Sequence, residues 1–141
     1  MILYLDTSAW VKLYVREAGS KEVRAHAAKA EALAISVVGY AEARAAFARL
    51  KAQGLTSEAK HQQRLAQLNS DWESLMRIEL IPPVLRGAGD LAEIHGLRGF
   101  DAIHLASAIW LKEKTSTPFL FAVFDQRLRS AAERAGLMVV P

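Results

Sequence analysis

The chain contains no cysteine. That excludes disulfides, thiolate-ligated zinc and thiol nucleophiles together, and it suits a reducing, cytoplasmic setting. Its four histidines, His26, His61, His95 and His104, show no metal-ligand spacing with one another. No apolar run approaches the roughly 18 residues that span a bilayer. The opening Met1-Ile2-Leu3-Tyr4-Leu5 lacks a basic flank and stops at Asp6, so neither a membrane span nor a signal peptide is expected. Proline is scarce, with four residues, and no stretch is rich in Pro, Gly or Ser, so no linker divides the chain. A single domain over residues 1–141 is expected. Hydrophobic residues make up 52% and charged residues 23%, with a formal net charge of +3, a mild basic bias that permits a polyanionic partner without requiring one.

Short apolar runs alternate with longer helical stretches, which points to a parallel sheet covered by helices. The expected strands are Ile2–Leu5, Leu33–Ser36, Arg77–Ile81, Phe119–Phe124 and Leu137–Val140, apolar almost throughout, as strands buried on both faces should be. The expected helices run over Ser8–Arg16, from a Ser20 cap to about Ala30, and over Val38–Lys51. Others run from a Thr56 cap to about Leu75, from Pro83 to His95, over Asp101–Lys114 and over Gln126–Ala135. Gly87-Ala88-Gly89-Asp90-Leu91-Ala92 has the G-x-G-x-x-A spacing, but it does not follow the first strand, so a dinucleotide site is not expected.

Four acids stand out by position. Asp6 and Asp125 directly follow the first and fourth strands, and ligands of open parallel sheets bind outside such strand ends. Glu42 and Asp101 fall near helix N-termini, which face the same end. Each aspartate alone reads equally as an N-cap. Glu42 sits in an apolar stretch, where it is either partly buried for a purpose or paired with Arg44 or Arg49. If all four converge, each pair at about 6 Å repels by roughly 3 kcal/mol at an effective dielectric near 20. A cation or retained protons must relieve that repulsion, and an all-oxygen donor set favours Mg²⁺ or Mn²⁺. Lys12, Arg16, Arg98, Arg127 and Arg129 flank the same end and could guide phosphates. His104, three residues after Asp101, reads first as a buried histidine with a satisfied hydrogen bond. A receiver-like domain would need an acidic pair after the first strand, whereas Asp6 is flanked by Leu5 and Thr7.

Asp6-Thr7-Ser8-Ala9 with Val11-Lys12-Leu13-Tyr14 resembles the opening of PIN-domain proteins, especially VapC-type toxins of toxin–antitoxin pairs. Leu97-Arg98-Gly99-Phe100-Asp101-Ala102-Ile103-His104-Leu105-Ala106-Ser107-Ala108 resembles that family's second signature, and Phe124-Asp125-Gln126-Arg127-Leu128 its C-terminal one. Glu42 falls at the family's glutamate. The resemblance implies a PIN-like three-layer α/β/α sandwich with a mostly parallel, about five-stranded sheet. It implies a Mg²⁺- or Mn²⁺-dependent endoribonuclease with Asp6, Glu42, Asp101 and Asp125 as its acids, binding metal directly or through water, and with Ser8 or Thr7 as a supporting hydroxyl. It also implies RNA as substrate, a VapB-like antitoxin and a homodimer, with DNA met only through the antitoxin. Val123 stands where many relatives carry Thr or Ser two residues before the last aspartate, so one hydrogen bond toward Asp125 is expected to be missing.

Overall fold

Strand β1 (Ile2–Leu5) is buried along its whole length, and its side chains alternate between two cores. Ile2 and Tyr4 point to one face of the sheet, Leu3 and Leu5 to the other. The computed structural model describes residues 1–141. Around β1 it places β2 (Ala32–Ser36), β3 (Met76–Ile78), β4 (Phe119–Ala122) and β5 (Val139–Val140) in the order β3-β2-β1-β4-β5, with every pairing parallel. Ile2 is in register with both Ala32 and Phe119.

The helices form the two outer layers. On the Tyr4 face lie α5 (Pro82–His95), α6 (Gly99–Lys114) and α7 (Gln126–Arg134), through Val84, Leu105 and Leu128 among others. On the Leu3 face lie α1 (Thr7–Val11), α2 (Ser20–Lys29), α3 (Val38–Ala52) and α4 (Glu58–Trp72), through Trp10, Val23, Phe47 and Leu68. This is the expected α/β/α sandwich. The strand order reverses at β1, so the crevice lies beyond the carboxyl ends of β1 and β4.

Several boundaries differ from expectation for visible reasons. Helix α1 ends at Val11 rather than Arg16: Leu13 and Tyr14 bond back to Trp10 and Val11, a tighter turn than an α-helix. The apolar stripe of Trp10, Leu13 and Tyr14 survives because these turns keep it on the core side. Strand β3 stops at Ile78 because its only neighbour, β2, ends at Ser36 and turns into α3, leaving Glu79–Ile81 nothing to pair with. Leu137 bonds to Ala132 as part of the end of α7, which shortens β5. The cap of α4 is Ser57, not Thr56, with its side chain accepting from the Lys60 amide at 3.2 Å. Helix α5 starts at Pro82 and contains the whole Gly87–Ala92 stretch, so that spacing forms no phosphate loop. Helix α6 starts at Gly99, which puts Asp101 in its first turn rather than at its opening. No helix is long and apolar enough to cross a membrane.

Candidate active site

Asp6 leaves β1 as the N-cap of α1. Its Oδ1 accepts the Ala9 amide at 2.8 Å and the Ser8 hydroxyl at 2.9 Å, and these bonds leave Oδ2 without a protein partner. The residue is only 4% exposed. Burial therefore pushes its carboxyl above the usual aspartate range; His104, the Ala9 amide and Ser8 oppose this, and Asp101 adds to it. A buried carboxyl under that strain is the natural place for a neutralising cation.

Glu42 reaches in from the second turn of α3. Thr7 Oγ1 donates to its Oε1 at 2.6 Å, and His104 Nε2 lies 2.8 Å from the same oxygen. Burial pushes this carboxyl up, but the hydrogen bonds from His104 and Thr7, aided by the charge of Arg98, outweigh it and hold Glu42 below the ordinary glutamate range. Arg44, weighed above as an ion-pair partner, bonds the Tyr40 hydroxyl at 3.0 Å instead, and Arg49 does not reach Glu42 either. Oε2 has no protein partner.

Asp101 and Asp125 line the same cleft. Asp101 Oδ2 meets Arg98 Nε at 3.1 Å. Asp125 caps α7, its Oδ2 accepting the Leu128 amide at 2.9 Å. Val123 is fully buried among the side chains of the Tyr4 face, so no hydroxyl approaches Asp125 from that position. Capping and site-building thus prove compatible: Asp6 and Asp125 each spend one oxygen on a helix and keep the other.

All four carboxylates, with Thr7, Ser8 and Arg98, line one cleft of about 470 Å³. Each has one oxygen bonded to protein and one without a protein partner. No three of the acidic or histidine side chains stand close enough to cage an ion by themselves. The donor set fits a hard cation that keeps most of its water, as Mg²⁺ does when one or two carboxylates hold it. Of the flanking cations, Arg98 alone lines the cleft. Lys12 pairs with Glu17 at 2.9 Å and lies over the Phe124 ring, Arg127 bonds the Gly96 carbonyl, Arg129 pairs with Glu133, and Arg16 is exposed.

The residue that sequence reasoning undervalued is His104. It is buried and satisfied, as expected, but its partners are the site's own Glu42 and Thr7, with Tyr4 behind them. The signal was present: on a helix, three residues' spacing places His104 under Asp101.

The PIN domain family model matches residues 3–134. The chain belongs to the PIN-domain family. Curated relatives of the VapC type share it over nearly their whole length. Ribonuclease VapC49 of Mycobacterium tuberculosis is 37% identical over 99% of this chain and 95% of its own, and Ribonuclease VapC47 is 31% identical over 97% and 94%. Among solved structures, FitAcB from Neisseria gonorrhoeae superposes with a TM-score of 0.69 at 20% identity, covering 100% of this chain and 97% of its own. VapBC2 from Rickettsia felis, bound to a fragment of promoter DNA, gives 0.66 at 18%, covering 99% and 98%. Mycobacterium tuberculosis VapC20, a toxin that cleaves the sarcin–ricin loop, gives 0.64 at 17%, covering 92% and 94%.

Proposed function

We propose that this PIN-domain protein is the toxin of a type II toxin–antitoxin pair, a cytoplasmic endoribonuclease that uses Mg²⁺ or Mn²⁺. The observation that carries the reading is that four carboxylates line one cleft at the switch point, each with one oxygen free of protein partners. The VapC ribonuclease relatives support RNA as the substrate, and the VapBC-type neighbours support a VapB-like antitoxin as the restraining partner. DNA contact would come only through that antitoxin, and a homodimer is the expected assembly.

In this reading Asp6 and Glu42, on the inner wall, and Asp101 and Asp125, on the rim, would together hold the cation, directly or through water. When bound, the cation supplies charge neutralisation for the phosphate and makes water a better nucleophile. Ser8 keeps Asp6 oriented by donating to its Oδ1, and Thr7 keeps Glu42 oriented by donating to its Oε1. The carboxylates accept the proton lost by the attacking water. Water then adds in line to phosphorus, the P–O3′ bond breaks, the departing O3′ takes a proton from solvent, and the products are a 3′-hydroxyl and a 5′-phosphate. A metal-free ribonuclease would instead need an acid and a base for attack by the 2′-hydroxyl. The one histidine at this site, His104, is buried beneath Glu42 and committed to it.

The test is to incubate the purified, antitoxin-free chain with total RNA, with Mn²⁺ and with EDTA, beside Asp6→Asn. Discrete fragments from the wild type in Mn²⁺ alone are expected. Equal cleavage by Asp6→Asn would remove these carboxylates from the mechanism.

A further inference from the structure

His104 lies beneath the cleft, and its two ring nitrogens connect different parts of the fold. On one side, the Ser36 amide at the end of β2 donates to the Tyr4 hydroxyl at 3.1 Å, and that hydroxyl stands 3.1 Å from His104 Nδ1. On the other side, Nε2 stands 2.8 Å from Glu42 Oε1 and 3.0 Å from Thr7 Oγ1. Tyr4, His104 and Ser36 are essentially sealed from solvent, so every proton in the row must be placed among these partners.

The Tyr4 oxygen receives the Ser36 N–H, and its hydroxyl lies between His104 Nδ1 and the buried Ser107 side chain. A nitrogen–oxygen contact of 2.8 Å requires a proton between the atoms, and a carboxylate brings none. That proton therefore sits on Nε2. The direction is fixed at the cleft end, His104 Nε2–H to Glu42 Oε1, while Tyr4 holds the far side of the ring and is itself held by the Ser36 N–H. Thr7 O–H adds a second donor to the same oxygen at 2.6 Å. Two donors on Oε1 immobilise the carboxylate and leave Oε2 as its one open oxygen.

We propose that His104, its ring held between Tyr4 and Glu42, is a positioning residue whose Nε2–H makes Glu42 a one-oxygen ligand of the cleft. The assignment rests on the metal-ion reading of the cleft given above. The device ties the geometry of the acid to the centre of the sheet: β1 supplies Tyr4, β2 supplies Ser36, and α6 supplies both His104 and the rim residue Asp101. Partners of this kind behind a ligand typically change metal affinity by 10–100-fold when removed.

Two measurements test it on the full chain. In the metal-free protein, ¹⁵N–¹H correlation of the His104 ring should show a proton on Nε2. An Nε2 that carries no proton overturns the assignment. For function, Mn²⁺ titration and RNA cleavage are compared for wild type, His104→Leu and His104→Gln. The leucine variant should bind Mn²⁺ about ten-fold or more weakly and lose kcat, with KM for RNA unchanged. Glutamine, whose amide N–H can replace Nε2–H, should recover much of both. A folded leucine variant that binds Mn²⁺ and cleaves like the wild type, while Asp6→Asn is inactive, overturns the role of His104 and leaves the metal reading standing. A wild type that neither binds Mn²⁺ nor cleaves overturns the metal reading itself. Should His104→Leu not fold, the ring spectrum of the wild type decides alone.

Discussion

The inner wall of the cleft, Asp6 and Glu42, differs from its rim, Asp101 and Asp125, although all four are carboxylates lining one space. The inner pair is joined to the core. Asp6 is buried and capped onto α1, and Glu42 is held by Thr7 and by a histidine that leads back through Tyr4 to the sheet. The rim pair is joined to the surface. Asp101 is tied to the exposed Arg98, Asp125 is itself exposed, and both also face a neighbouring recess with Arg127 and Arg134. Arg98 serves as a counter-ion for the whole rim, its charge reinforced first by Asp101, then by Asp125 and more weakly by Glu42. Position can thus be fixed from within, by hydrogen bonds whose loss is costly, while charge is balanced from outside by an exposed guanidinium.

The inner wall also divides against itself. Burial raises the carboxyl of Asp6, whereas its hydrogen bonds win for Glu42 and lower it. The largest effect follows from this contrast. Asp6→Asn should reduce cleavage by roughly 100-fold or more, the scale of losing a charged group at a reacting phosphate. In EDTA the same change should raise the thermal midpoint, because asparagine caps about as well as aspartate and carries no buried charge. Glu42→Gln should also reduce cleavage but lower stability by about 1–2 kcal/mol, and the midpoint with it, since it weakens two charge-assisted hydrogen bonds. Differential scanning calorimetry of the two variants checks the opposite signs. Equal shifts would erase the distinction between the two acids.

The pH dependence sharpens the same contrast. The raised Asp6 carboxyl costs stability when ionised, so in EDTA that cost is relieved as pH falls from neutral through its raised value. The lowered Glu42 carboxyl contributes stability above the usual glutamate value and loses it as pH falls through its depressed one. Acid unfolding of Asp6→Asn should therefore lack the relief near the upper end of this range and keep the loss below it.

Changes on the rim should be smaller. Asp125→Ala removes a cap and should cost about 1 kcal/mol, and Asp125→Asn should restore it. Arg98→Ala breaks an exposed, solvent-screened ion pair and should leave stability little changed. It should also tighten Mn²⁺ binding, because a competing charge leaves Asp101. Weaker Mn²⁺ binding in Arg98→Ala would make Arg98 a support of the site rather than a competitor.

The fold was legible in the sequence because its strands are apolar throughout and its helices carry clear stops, such as Gly96 and Gly136. The four acids were legible because strand ends and helix starts of a parallel sheet share one end. The lengths of α1 and β3 were not. Hydrophobic spacing does not distinguish an α-helix from tighter turns with the same stripe, and the reach of β3 depends on where β2 ends. His104 was visible as a buried histidine but not as a partner of Glu42, because the contact joins residues 62 positions apart. Nor could spacing show that Arg98, alone among five flanking cations, lines the cleft, since the others' partners are set by tertiary contacts.

The most direct test of a metal–carboxylate nuclease is the chemistry of its cut ends. A short RNA should be cleaved by the purified chain in Mn²⁺ to fragments bearing 5′-phosphate and 3′-hydroxyl groups, and should survive intact in EDTA. A 2′,3′-cyclic phosphate, still produced in EDTA, would contradict the account and return these four acids to capping and ion pairing.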